Sequence, residues 1–166
     1  TKQKNYILLL KLIKNLKHEK INNKFIIIGE GEEKLNLLKY IKENNLEKSV
    51  KLLGYKENIF PYLRDCNALI STSLWEDPGF TIIEAGYCGI PIISSDCPNG
   101  PREILDNGEG GYLFKSNSIE NFQEIFKKFF NDEKESIEKK KILTKKMSRE
   151  FTLFNHYKNF LKNINE

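Results

Sequence analysis

Two carboxylates, Glu76 and Glu84, flank a tight Asp77-Pro78-Gly79 turn that opens an apolar helix. At such a helix start the backbone N–H groups of Gly79, Phe80 and Thr81 have no intrahelical partner. They and the helix dipole favour an anion such as a diphosphate. Gly79 has no side chain, so a ligand can approach its backbone closely. Glu84 lies within Phe80-Thr81-Ile82-Ile83-Glu84-Ala85-Gly86-Tyr87. A carboxylate in an apolar setting needs a partner, and the two hydroxyls of a ribose would serve. Glu76, in the preceding loop, can accept from sugar hydroxyls. Each feature also has a plain structural reading. The turn can simply feed a core helix, Glu84 can be the helix's wet face, and Glu76 can complement the helix N-terminus. A ligand with both hydroxyls and phosphates, such as a sugar nucleotide, would use all of these groups.

The elements that must position them alternate along the chain. Helical spacing of Tyr6, Leu9, Leu10, Ile13 and Leu16 predicts a helix over 4–18. Apolar runs ending in glycine predict strands at 25–28 and 50–53, with a helix from Leu35 to about Asn44 between them. A short helix at 59–64 and a strand at 68–71 follow. After the 72–79 loop comes a helix over 80–88, closed by Gly89 at a left-handed C′ position. Strand 90–94, a short helix at 101–105 led by Pro101, strand 112–114 and a helix capped by Ser118 through 130 complete the alternation. The remainder, 133–166, reads as a helical extension. Strand–helix alternation predicts an α/β fold, a Rossmann-like parallel sheet with helices on both faces and trailing C-terminal helices. Ligands of such sheets bind at the carboxyl ends of the strands, which selects loops 29–32, 54–58, 72–79 and 95–101.

A length of 166 residues predicts one domain with a real core. With 39% apolar and 30% charged residues, the composition is that of an ordinary soluble globule. The net charge of +4 is mild and carried mostly by lysine, since Arg64, Arg102 and Arg149 are the only arginines. No nucleic-acid partner is expected. The basic C-terminal tract reads as a solvated helix face, with peripheral contact to an anionic membrane as the alternative. Cys66, Cys88 and Cys97 form no CxxC pair and no metal-ligand spacing, which suggests reduced thiols in a cytosol. No run of about 18 apolar residues exists. His18 and His156 are isolated, and Arg102 is expected to pair locally with Glu103. Gly29-Glu30-Gly31 begins like a dinucleotide fingerprint, but Lys34 stands where the third glycine is needed, which argues against a nicotinamide site.

Glu76, seven intervening residues and Glu84 within Ser73-x-x-Glu-x-x-Gly-Phe-x-x-x-Glu-Ala resemble the E-x7-E signature of retaining GT-B glycosyltransferases of the group 1 family. Phe25-Ile-Ile-Ile-Gly-Glu-Gly-Glu, Val50-Lys-Leu-Leu-Gly-Tyr, Gly89-Ile-Pro-Ile-Ile-Ser, Gly100-Pro-Arg-Glu-Ile and Gly110-Gly-Tyr-Leu-Phe are similar to further family segments, in order, over about residues 1–130. Two departures stand out. The family's E-G-F-G-L is Glu76-Asp77-Pro78-Gly79-Phe80 here, and its Gly-Gly before x-x-E is Asn99-Gly100.

The resemblance implies a donor-binding, C-terminal half of a GT-B fold. In that reading Glu84 binds the nucleotide ribose and Glu76 the donor sugar. Gly79, Phe80 and Thr81 contact sugar and phosphates, Gly29 and Gly31 line the phosphate side, and the loop from Tyr55 holds the base. Lys4 matches a family lysine that binds the diphosphate, and its companion arginine and strand would precede Thr1. The implied function is transfer of a sugar from a nucleotide-sugar to a glycan or lipid-linked acceptor with retention of configuration. No metal or other cofactor is implied. The implied partners are the donor, the acceptor and an N-terminal GT-B domain of the same chain, without which the isolated 166 residues should transfer nothing. A C-terminal stripe of Phe154, Tyr157 and Leu161 would dock on that domain or pack on its own. The implied location is cytoplasmic, with peripheral contact at the inner membrane face. A GT-B-fold epimerase or hydrolase, or a non-catalytic nucleotide-binding module, is the alternative.

Overall fold

The computed structural model describes residues 1–152, 155 and 161. A single 3-10 turn, Lys2–Lys4, leads into helix α1 (Tyr6–His18). There follow β1 (Phe25–Ile28), α2 (Lys34–Glu43), β2 (Val50–Gly54), α3 (Phe60–Asp65), β3 (Leu69–Ser71) and α4 (Phe80–Tyr87). Then come β4 (Ile92–Asp96), α5 (Pro101–Ile104), β5 (Tyr112–Lys115), α6 (Ile119–Asn131) and α7 (Lys134–Glu150). The predicted alternation is thus present, with boundaries moved by one or two residues. Phe154, Tyr157 and His156 lie outside the described residues. Leu161 is described and is 40% exposed.

Alternation within the strands explains helices on both faces. Ile93, Tyr112 and Phe114 turn toward one cluster with α1, α2 and α6. Their neighbours Ile92 and Leu113 turn toward a second cluster with Leu63, Ile82, Ile83, Ile104 and Leu105. Period-2 side-chain alternation requires that division. Phe114 and Phe122 stack with centroids 4.3 Å apart, and both are fully buried. Burying each ring contributes about 1.5–3 kcal/mol.

All strand pairs are parallel, but they form two sheets, β1-β2 and β3-β4-β5. The edges of β1 and β3 are not bonded to each other. Both line an apolar cleft of about 750 Å³ between the sheets, which Leu9, Phe126 and Phe129 also border. The predicted α/β arrangement of parallel strands with helices on both faces is thus present, its strands grouped as two and three because only strands within about 5 Å bond.

Gly89 ends α4 as its sequence suggests. It has φ +70, its N–H donates to Gly86 O, and Ile90 N–H donates to Ala85 O. That is the Schellman pairing. It also explains why β4 starts at Ile92 rather than Ile90. Ile90 is occupied in the cap, and Pro91 has no N–H to give a ladder. Ser118 caps α6 through its hydroxyl, which accepts from Asn121 N–H. Helix α7 lies against α4, where Gly86 faces Thr144 and Ser148.

Candidate functional site

The 3-10 turn Lys2–Lys4 is stitched to the loop after β3. Leu74 N–H donates to Gln3 O at 2.8 Å, and the Gln3 amide donates to Trp75 O at 2.9 Å. Thr72 Oγ1 donates to Lys4 O at 2.8 Å. These bonds bring Lys4 to Glu76 across 72 positions of sequence. Lys4 Nζ donates to both carboxylate oxygens of Glu76, at 2.9 and 2.8 Å.

Glu76 is only 3% exposed. Its Oε1 also accepts from Ser73 Oγ at 2.6 Å, and its own N–H donates to Pro98 O at 3.0 Å. Ser73 is set in turn by Ser95, whose hydroxyl donates to Ser73 O at 2.5 Å. A buried carboxylate is tolerable on these terms because it is paired and hydrogen-bonded. Its negative charge reaches neighbouring groups. Burial first, then Glu76, pushes the Tyr6 phenol upward. The simple reading of Glu76 as a surface charge complementing the helix is therefore excluded.

Gly79 is the N-cap of α4 with φ +96 and ψ +51, a conformation that favours glycine. Ile82 and Ile83 N–H both donate to Gly79 O. Among the described residues, no group accepts from the N–H groups of Gly79, Phe80 or Thr81. Phe80 and Thr81 are exposed. Lys4, Glu76 and Thr81 all line the cleft, the last two following β3 in the chain. The Asp77–Pro78 peptide bond is cis.

Glu84 is half-buried, and no ion pair or hydrogen bond satisfies its carboxylate within the described residues. Desolvation pushes its carboxyl above the ordinary value. The remaining expected residues lie at the carboxyl ends of β1 and β2. Gly29 N–H donates to Gly54 O at 2.9 Å, which brings the Gly29 and Tyr55 loops side by side. Gly31 sits against the Thr1 nitrogen, which a Cβ on Gly31 would meet at 3.2 Å. The Thr1–Lys4 segment thus reaches from the Gly31 loop to Glu76. Tyr55 itself is 72% exposed.

The first 148 residues match the family model for glycosyl transferases group 1. The chain belongs to that family. Over 105 residues it is 42% identical to an uncharacterised glycosyltransferase of Methanocaldococcus jannaschii, covering 63% of this chain and 26% of that protein. It is 37% identical over 121 residues to the amylovoran biosynthesis glycosyltransferase AmsD of Erwinia amylovora, covering 72% of this chain and 33% of that one. The crystal structure of TarM superposes with a TM-score of 0.86 at 25% identity, over all of this chain and 33% of that chain. This group 1 chain therefore spans about a quarter to a third of the length of these relatives, and its architecture is that of GT-B glycosyltransferase structures.

Some partners within this group 1 site were not legible beforehand. Ser73 appears in the recognised motif, but nothing in its spacing shows that its hydroxyl holds Glu76. Gln3, Thr72 and Ser95 carry no pattern at all, because their bonds cross from one loop to another. Arg102 pairs with Asp96 at the end of β4 rather than with Glu103. Arg102 and Glu103 are adjacent on one turn, whereas Asp96 faces that turn across the intervening loop. Among the described residues no group of three His, Cys, Asp or Glu is arranged to hold a metal ion, and no helix is long and apolar enough to cross a membrane.

Proposed function

We propose that this chain binds the donor in a glycosyltransferase that moves a sugar from a nucleotide-sugar to a glycan or lipid-linked acceptor, with retention of configuration. The observation that carries the reading is that Lys4 pairs with the buried Glu76, against which Gly79 packs at the start of α4, where the N–H groups of Gly79, Phe80 and Thr81 are unpaired among the described residues. In this reading Lys4 and the amides hold the diphosphate and stabilise its charge as the sugar departs. Glu84 takes the ribose hydroxyls, which answers its lack of a partner. Glu76 takes a hydroxyl of the sugar, Gly29 and Gly31 border the phosphates, and the Tyr55 loop borders the base. The acceptor then enters from the front face, held by parts of the full-length protein outside this chain.

Named relatives support the acceptor class. One from Campylobacter jejuni is an N-acetylgalactosaminyltransferase acting on a diphospho-undecaprenol glycan, 32% identical over 133 residues. Those are properties of that protein. By extension we place the present protein in the cytoplasm, in peripheral contact with the membrane that carries its acceptor, and without a resident cofactor or metal.

The test is calorimetric titration of the full-length protein with uridine, guanosine and adenosine diphosphates and their sugars, followed by product analysis with the donor that binds. Glu84→Ala should weaken nucleotide affinity by about 10- to 100-fold, the range for losing hydrogen bonds to a charged group. Unchanged affinity would remove the ribose assignment. Inversion at the anomeric carbon of the product would remove retention.

A further inference from the structure

The Lys4–Glu76 pair takes up most of the hydrogen-bonding capacity of both partners. An ammonium has three protons, and two of them point at Glu76 oxygens 2.9 and 2.8 Å away. Oε1 also accepts from Ser73 at 2.6 Å, so both of its lone pairs are taken. The two partners differ in freedom. The Glu76 side chain is 3% exposed and fixed by Ser73, itself placed by Ser95. The Lys4 side chain is 33% exposed, and only its backbone is anchored, through Thr72. If the pair opens, the lysine is the partner that moves.

We infer that the Lys4–Glu76 pair is a latch that couples recognition of the diphosphate to recognition of the sugar. This rests on the donor-binding reading above. A diphosphate carries more charge than one carboxylate, and it arrives beside unpaired helix N–H groups. It draws the ammonium away from Glu76. That strands a buried carboxylate, which is costly unless new donors reach it. A sugar hydroxyl supplies one. A ligand that brings diphosphate and sugar together therefore opens the latch and satisfies both halves. A free sugar meets a neutralised carboxylate with three of its four acceptor positions filled. The coupling is reciprocal, as linkage requires.

The experiment is a double-mutant cycle on the full-length protein, with uridine, guanosine and adenosine diphosphates as probes. Glu76→Gln releases Lys4 and should tighten binding of the nucleoside diphosphate by roughly fivefold, the upper worth of a partly exposed ion pair. In a Lys4→Met background the same change should have no effect. The same gain without Lys4 would mean simple charge repulsion and would overturn the latch, as would unchanged or weaker binding when Lys4 is present. A readout on the unmodified protein guards against misfolded variants. The Glu76 carboxyl carbon, assigned by its disappearance in Glu76→Gln, should shift in the NMR spectrum when the diphosphate is added, and a static resonance counts against the idea. Failure of all three diphosphates to bind the unmodified protein removes the donor-site reading itself. Binding without the cycle pattern removes only the latch.

Discussion

Gly100→Ala tests how tightly the Glu76 loop is held. Gly100 has φ +119, where an alanine is strained, and a Cβ there would lie 2.0 Å from Pro78 O and 3.0 Å from Pro78 C. The backbone strain costs about 1–2 kcal/mol. The overlap is with a carbonyl rather than a flexible tip, so the loop must give way by roughly 1 Å, at about 1–3 kcal/mol. The sum, about 2–5 kcal/mol, is a large share of a typical domain's stability. Gly89→Ala is the control, because Gly89 also has positive φ (+70) but nothing within 4 Å of its Cβ position. Urea unfolding should place Gly100→Ala below Gly89→Ala by at least the overlap, about 1–3 kcal/mol, because φ +119 with ψ −55 lies outside the left-handed region and is no easier for alanine than φ +70. Pro78 sits between Glu76 and Gly79, so a 1 Å shift there should also cut turnover by about a hundredfold. Equal destabilisation by the two alanines would show that the Pro78 turn yields freely, and the argument for a rigidly held loop would fail.

Ser73→Ala removes the 2.6 Å donor to Glu76 and should destabilise the chain by about 1–3 kcal/mol, read from the urea midpoint, with rescue by Ser73→Thr. Gly86→Ala forces a methyl against the Ser148 hydroxyl and the Thr144 methyl, an overlap of about 1–3 kcal/mol offset by about 1 kcal/mol for replacing a helical glycine, and should cost a net of about 0–2 kcal/mol by loosening α7 from α4. Tyr112→Phe removes the 2.7 Å bond to Asp132 and should cost about 1 kcal/mol in thermal unfolding.

The elements were legible because their signals are local. Ser118 lies just before the periodic apolar positions of α6, and Gly89 lies where α4 must end, so cap and stop could be read directly. Glu76, Glu84 and Gly79 could be singled out as a candidate site for the same reason, since turn, helix start and acids fall within nine residues of sequence. The division into two sheets was not legible, because strand order depends on which edges meet in space. Nor was the burial of Glu76. A loop acid followed by Asp77-Pro78 reads as a surface charge until Lys4 and Ser73 are placed beside it. The Arg102 pairing failed similarly, because adjacency in sequence is a poor guide to where a guanidinium points.

The two acids of the site are provisioned in opposite ways, and Glu84 turns that into a measurable consequence. Glu76 is buried, and its charge is balanced by Lys4 at 2.8 Å. The uncompensated positive end is then the start of α4. Glu84 is half-buried with nothing to satisfy it, and desolvation raises its carboxyl pKa. A raised carboxyl favours the folded state when protonated, and this contribution is lost as pH rises through the folded-state pKa. Glu84→Gln mimics the protonated form. It should therefore raise the urea midpoint at pH 7, and this advantage should shrink toward zero as pH falls below the carboxylate range. The same substitution should weaken nucleotide binding. Stability gained with affinity lost is what a group kept for a ligand rather than for the fold produces. If Glu84→Gln leaves stability unchanged at pH 7, the carboxylate is better solvated than its surroundings indicate, and its unpaired state no longer argues for a ribose partner.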